Sequence, residues 1–485
     1  MAAARRNLLL RHGDYARLWT AATISLFGTQ VSLVAIPVIA VFLLHATPFE
    51  VALLGTLEFL PFLLFALPAG VWVDRLPRRL ILVTGDMGRA LSLMSIPIAH
   101  QLGVLTIWQL YAVGFVNGCL TVFFDVADQS FLPAILDSDD LVEGNSKLQV
   151  SSSAAQILGQ PLAGGVVGLL TAPLAVLLDA LSFLVSGGLI STIRKREPAR
   201  RSSGKVATAR QAEGSSAAMS ADASQAANSS APLVANTSQA DDPPAPVASM
   251  RREIGEGLRY VLGHQYLRYI AACTGLSNLF SNVAFAIFPI YAYRVLVLTP
   301  PEVGLIGGLG SLGFLFGALV AGRISRRFGV GRSIVGSAIL SGPGILLAAA
   351  AQPGTALAIL VASGFITGFS AVVYNINQVT LRQAITPERM QGRMNATMRF
   401  IVWGTIPIGS IVGGALGTIV GVREAVIIGG IGACFAFVPL LFSPVKSLER
   451  MPTGAGPGEG DEPTTGGRTI VEAEADAASP GSANP

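Results

Sequence analysis

Between the apolar runs "VALLGTLEFLPFLLFALP" and "LILVTGDMGRALSLMSIPIA", the stretch "AGVWVDRLPRR" sets Asp74, Arg75, Arg78 and Arg79 within six residues. One carboxylate and three guanidiniums at that spacing make neither a nucleophile–base pair nor a metal set. They can form ion pairs, meet a helix terminus, or anchor a chain at a charged surface. Asp125 and Asp128 lie at the end of a later apolar run and are candidate partners for the arginines. Glu58, Asp179 and the pair Asp86 and Arg89, three apart as helical neighbours would be, interrupt other apolar runs. Ionisable groups so placed are costly and face a cavity or a partner. The chemistry on offer is gating, binding and ion movement.

Other chemistries are absent as motifs. There is no Walker A loop and no H-E-x-x-H. "GLGSLG", Gly308 to Gly313, matches G-x-G-x-x-G but sits inside an apolar run with no strand and no acidic partner, so close helix packing is the expectation. Cys119, Cys273 and Cys434 fall in apolar runs and form no disulfide framework, and His12, His45, His100 and His264 form no ligand cluster. No enzyme activity, cofactor or metal is expected.

Composition shows what must position these residues. Of 485 residues, 51% are hydrophobic and 13% charged, against roughly 25% charged in a soluble domain. Most of that charge gathers at the ends and in the middle. The remainder divides into runs near the roughly 20 residues that cross a bilayer. The net charge of +4 fits basic loops beside a membrane rather than nucleic-acid binding. Twelve spans are predicted, at 18–44, 48–73, 80–100, 104–128, 147–170, 173–193, 268–293, 301–322, 332–351, 355–378, 398–419 and 423–442. Backbone groups in lipid must bond internally, and runs this continuous do not fit a barrel's alternation, so the spans are read as helices. The first is too long, and too interrupted by Gln and Pro, for a cleaved signal.

Lys and Arg concentrate on one side of this topology, including Arg5, Arg6, Arg11, Arg17, the 75–79 cluster, Lys147, Arg194 to Arg196, Arg323, Arg326 and Arg327. The opposite loops supply only Arg294 and Arg423. The positive-inside rule then puts both termini and the central loop in the cytoplasm, for a multi-pass protein of the cell membrane. Residues 1–193 form a first six-helix half and 264–445 a second. Between them, 194–263 is a linker, expected to be disordered over 197–249 and to end in the basic amphipathic stretch "MRREIGEGLRYVLGHQYLRYI". Residues 446–485 are read as a cytoplasmic tail, expected to be disordered from 451 on.

The halves repeat each other. A shift of 250 brings Gly114, Phe115 and Gly118 onto Gly364, Phe365 and Gly368, Ala134 and Ile135 onto Ala384 and Ile385, and Asn145 onto Asn395. Duplicated six-helix halves are a transporter architecture.

With those observations, the opening stretch resembles a known signature. Gly70, Asp74, Arg75, Arg78 and Arg79 resemble the loop between spans two and three of the major facilitator superfamily. "GRISRRFG", Gly322 to Gly329, resembles its second copy, with Arg326 where Asp74 would fall. "GQPLAGG", with Gly159, Pro161, Gly164 and Gly165, resembles the exporter-associated glycine–proline element of span five, Gln160 replacing one glycine. The resemblance covers about 10 to 445, and is nearest to the bacterial branch holding macrolide-efflux, multidrug-efflux and enterobactin-export proteins. It implies an all-α membrane protein of two pseudo-symmetric six-helix bundles. In it, Asp74 faces the N-terminus of span eleven, and the arginines with Asp125 and Asp128 latch the cytoplasmic gate.

The same resemblance puts spans one, four, seven and ten around a central cavity. That nominates Gln30, Asn117, Asn278, Asn282, Asn375 and Asn377 as polar contacts, with Phe27, Phe280 and Phe285 as apolar wall. Glu58, about 15 Å into span two at 1.5 Å per residue, is the candidate for proton coupling. Span four lacks an intramembrane arginine and span one an acid at depth, which leaves Glu58 to act nearly alone. The resulting expectation is a monomeric secondary transporter, a proton-linked exporter of hydrophobic antibiotics, toxins or siderophore-like compounds. An importer or facilitator, and a transport-dead sensor or scaffold, remain as alternatives.

Overall fold

In the computed structural model, residues 8–73, 76–194 and 250–448 are described. Asp74 and Arg75, the linker expectation over 197–249 and the tail from 451 lie outside them. Among the described residues, twelve helices form two sets of six, and a further helix, Met250–Gly263, precedes the second set. The first half comprises α1 (Gly13–Val38), α2 (Pro48–Val73), α3 (Arg78–Gln101), α4 (Ile107–Ile135), α5 (Ser138–Leu169) and α6 (Ala172–Ser191). The second comprises α7 (Leu267–Phe285), α8 (Pro300–Phe328), α9 (Val330–Ala349), α10 (Ala356–Ile385), α11 (Glu388–Ile419) and α12 (Val422–Phe435).

Eleven of these, counted with their continuations, are long and apolar enough to cross a membrane. The remaining one, α5, opens on the polar run "SDDLVEGNSKLQ" and turns apolar only later. Polar starts also explain why α5 and α11 begin about ten residues before the spans read from hydropathy. Those first turns continue the helix beyond the apolar layer, where hydropathy gives no signal.

Packing repeats from half to half. α1 packs on α5 and α6, α2 on α4, and α3 on α4 and α6; α7 packs on α11 and α12, α8 on α10, and α9 on α10 and α12. The halves meet through α2 against α11 and α5 against α8.

The repeat is sharpest at the end opposite the chain termini. α1 runs into a π-turn, Ile39–Leu43, and α7 is followed by another, Tyr291–Val295. Two residues beyond each, His45 and Val297 take φ of 51° and 55°. Then Thr47 and Glu50, and likewise Thr299 and Glu302, close a capping box at the start of the next helix. These turns agree at a shift of 252, two off the register matching the helices, so an ungapped comparison of sequences passes over them.

That end is also where the halves are joined. One buried apolar cluster unites Val38, Ile39 and Val41 with Ile290 and Tyr293, and a second unites Ala52 with Ile287 and Tyr291. At the termini end, one cluster holds only residues 8–193 and the other only residues 260–448. Among the described residues, the apolar seam therefore closes the molecule at one end.

Candidate functional site

The seam is built from small residues and proline. A Cβ on Gly164 of α5 would lie 2.5 Å from the Pro300 carbonyl oxygen and 3.1 Å from the Gly304 Cα of α8. Glycine is required there because the two backbones touch. Pro161 fills the space beside Gly308, and the Gln160 side chain reaches over Gly307. The element "GQPLAGG" is thus part of the contact between the halves. Gly159 packs against Gln30 of α1 within its own half, and Gly165 faces open space. Across the pseudo-symmetric contact, Gly414 of α11 lies against Pro48, Phe49 and Ala52 of α2. The end of α7 adds a clasp: Arg294 Nη2 donates to the Val41 carbonyl at 3.0 Å, and Tyr293 lies 5.3 Å from Phe42, ring centre to ring centre.

Deeper along the seam, Phe59 of α2 meets Trp403 of α11 edge to face at 5.8 Å and stacks on Phe62 at 5.7 Å. The Arg399 guanidinium lies over the Trp403 ring at 5.3 Å. Such an aromatic–cation ladder is attractive through the ring quadrupoles. Nominating α1, α4, α7 and α10 alone missed it, although the spacings of Phe59 to Phe62 and of Arg399 to Trp403 carry the signal. Glu58 adjoins Phe59. Its Cβ lies 3.8 Å from where a Cβ on Gly114 of α4 would stand, and the residue is exposed.

At the termini end, Arg78 Nη1 donates to the Ser130 carbonyl of α4 at 2.7 Å, and Arg79 donates to the Ser191 carbonyl ending α6. The helix ends supply these acceptors, and Asp125 and Asp128 sit half-buried on α4. Gly70 has open space where its Cβ would be. Asp128 instead shares the field of Asp86 and Arg89. That pair is buried: Arg89 Nη2 reaches Asp86 Oδ1 at 2.5 Å, and Ser186 of α6 donates to Asp86 Oδ2 at 2.7 Å. The Arg89 guanidinium lies between Phe124 and Phe183, 4.2 and 4.4 Å from their ring centres. Asp179 is likewise buried, accepting from Ser32 and Ser182.

The contacts of the six polar residues nominated for the cavity run to several different neighbours. Asn117 donates to Ser92 of α3 at 3.1 Å and to the Val113 carbonyl, joining α4 to α3. Asn377 is buried and donates to Val373 of its own helix. Gln30 is buried against α5, with Oε1 lacking a hydrogen-bond partner. Asn278 and Asn282 are half-buried one turn apart on α7, donating to the carbonyls of Val402 and Asn278. Asn375 accepts from Gln378 at 2.8 Å. An amide in an apolar helix gains by satisfying itself on a neighbouring group, as the five asparagines do and Gln30 Oε1 does not. Phe280 packs on α12 at Gly432, and Phe285 is exposed and stacks on Phe288. Sequence reasoning also missed the half-buried hydroxyl contact of Thr274 with Tyr374, 2.7 Å, which links α7 to α10.

Comparison with known proteins agrees with this geometry. The chain is 21% identical over 401 residues to the uncharacterized MFS-type transporter YvqJ of Bacillus subtilis, covering 82% of this chain and 85% of that one. It is 26% identical over 168 residues to the uncharacterized MFS-type transporter YfiS of the same organism, a match that spans only 35% of this chain and 39% of YfiS. Among solved structures, a bacterial homologue of the iron transporter ferroportin in an inward-facing state superposes with a TM-score of 0.65 at 16% identity, covering 90% of this chain and 99% of the other. The family model of the Major Facilitator Superfamily matches residues 18–292 and 270–473. With two six-helix halves, a small-residue seam between them and that match, the chain belongs to the Major Facilitator Superfamily and is a membrane transporter of that type.

Proposed function

We propose that this transporter is an exporter of hydrophobic small molecules, driven by protons and working by alternating access. The observation that carries the reading is the one-ended seam: among the described residues, apolar clusters cross between halves at the end opposite the termini and not at the termini end. The Lys/Arg asymmetry places the termini in the cytoplasm. The open end then faces the cytoplasm, where an exporter loads. The ferroportin homologue it resembles was solved inward-facing, which fits that orientation. The ladder of Phe59, Phe62, Trp403 and Arg399 offers aromatic faces beside a cation, suited to an apolar solute with a few polar groups. Glu58, exposed beside that ladder, is placed to exchange a proton as the seam opens and closes.

Everted membrane vesicles energised to an acid interior test the direction. An apolar fluorescent dye should accumulate inside them and leave when the pH gradient is collapsed. Accumulation only in right-side-out vesicles makes the protein an importer. Full function without residues 200–248 removes the scaffold reading. A drug-susceptibility panel in a pump-deficient strain names the substrate class.

A further inference from the structure

We infer that the first half carries a binding site for a phosphate-bearing headgroup of an anionic phospholipid, at the corner where α1 and α3 begin and α6 ends. A cavity of about 650 Å³ lies there, lined by Arg17, Arg79, Ser191, Thr192, Ile193 and Arg194. Three guanidiniums line it, and Asp14 meets one of them: Arg17 Nη1 reaches Asp14 at 2.9 Å, and the Arg194 backbone nitrogen donates to the same oxygen. Among the described residues, three guanidiniums against Asp14 leave the lining with net positive charge. Arg17 and Arg79 are held in place by the Thr192 and Ser191 carbonyls at the end of α6. Arg17 uses Nη1 for both of its contacts, and a guanidinium has five N–H donors. A phosphate's oxygens match that set.

The corresponding corner of the second half shows what such a corner needs. Where α9 begins and α12 ends, the chain folds back on itself as Pro444–Ser447, and Val445 is fully buried with Leu267, Val330 and Ile334. The Gly331 amide donates to the Leu448 carbonyl at 2.9 Å, and a Cβ on Gly331 would strike the Val445 carbonyl oxygen. That corner is closed by apolar chain. Its counterpart is lined by arginine and hydroxyl. The occupant the charge selects is an anion.

Position identifies the source. Helix ends lie at headgroup level, where basic pockets between spans hold anionic lipid. The α6 face leading away from the pocket exposes Val185, Leu181, Leu178 and Leu174, with Leu80 exposed on α3. Acyl chains lie along that stripe while the phosphate occupies the arginines.

Native mass spectrometry of the full-length protein, delipidated in detergent and titrated with phosphatidylglycerol, cardiolipin or phosphatidylcholine, tests the site. The anionic lipids should be retained in preference to phosphatidylcholine. Joint Arg17→Gln and Arg194→Gln should weaken retention about 30-fold, at roughly fivefold per arginine. Arg194→Gln alone, at an exposed side chain, should weaken it about fivefold with melting temperature unchanged. Arg268→Gln, at similar depth in the second half, should change nothing. Millimolar inorganic phosphate should fail to displace the lipid; displacement by phosphate alone overturns the lipid assignment. Equal retention by the wild type and the double variant, or equal loss in Arg268→Gln, overturns the site.

Discussion

Arg89 and Asp86, one turn apart on α3, form a 2.5 Å ion pair with the carboxylate wholly buried and the guanidinium held between the rings of Phe124 and Phe183. Burying two charges is repaid only while both are present and the remaining polar atoms are satisfied. Ser186 of α6 bonds the second carboxylate oxygen, so the pair ties α3, α4 and α6 together.

Removing one partner strands the other. Arg89→Ala should destabilise the first half by about 3–5 kcal/mol, seen as a large drop in melting temperature in detergent. Joint Asp86→Leu and Arg89→Met should recover most of that loss, because no unpaired charge remains. A double variant as unstable as Arg89→Ala would show that shape, not charge, sets the cost.

The contact of Gly164 with Gly304 makes a prediction about conformation. Gly164→Leu puts a side chain where the Pro300 carbonyl stands 2.5 Å away. Each half packs mainly within itself, so the variant should insert and fold. Its halves should be unable to close at the end opposite the termini. Spin labels at exposed Val104 and Leu357 should move apart, and transport should fall to background. An unchanged label distance would mean that α5 and α8 accommodate the bulk by sliding.

A third prediction concerns the helix Met250–Gly263, which the sequence marked as amphipathic and which packs on α11. Glu256 meets Arg393 at 2.7 Å, with side chains 40% and 37% exposed. Exposure of that degree limits the pair to under about 1 kcal/mol. Buried Val261 and the contact of Gly257 with Thr397 supply the rest. Arg393→Glu should therefore raise hydrogen exchange over 250–263 only a few-fold, and adding Glu256→Arg should reverse it. Val261→Asp should release the helix altogether.

How much of this was legible follows from where each signal lives. Span number, the duplicated halves and the glycine–proline motif at Gly164 were readable, because apolar length, repeated spacing and composition are local properties; that the motif lies against α8 was not. The aromatic ladder was not, because Phe59 and Trp403 lie 344 positions apart and belong to spans assigned no cavity role. Asn117 was nominated from its type and helix, but its partner Ser92 is set by how α3 leans on α4. Asp74 and Arg75, the clearest charges in the sequence, fall outside the described residues, so the latch remains a proposal. For it, Asp74→Asn should leave insertion and abundance unchanged and reduce efflux to near background in matched vesicles.

The last prediction separates a coupling role for Glu58 from a structural one. The residue lies about 15 Å along α2, exposed, beside the Phe59 contact with Trp403. A carboxyl there changes charge as protons arrive, and charge beside an apolar contact between halves weights one conformation against the other. Protonation should favour the state in which the helices around it are dry, and ionisation the state in which it reaches water. Glu58→Gln keeps the shape and fixes the neutral form. Downhill exchange of substrate should then persist at near wild-type rate, because alternation needs no proton when none can be carried. Uphill export should vanish, and imposing a pH gradient on vesicles should no longer accelerate efflux. Uphill export equal to wild type would make Glu58 a packing residue and move the coupling site to other acids of the first half, the half-buried Asp128 or the buried Asp179.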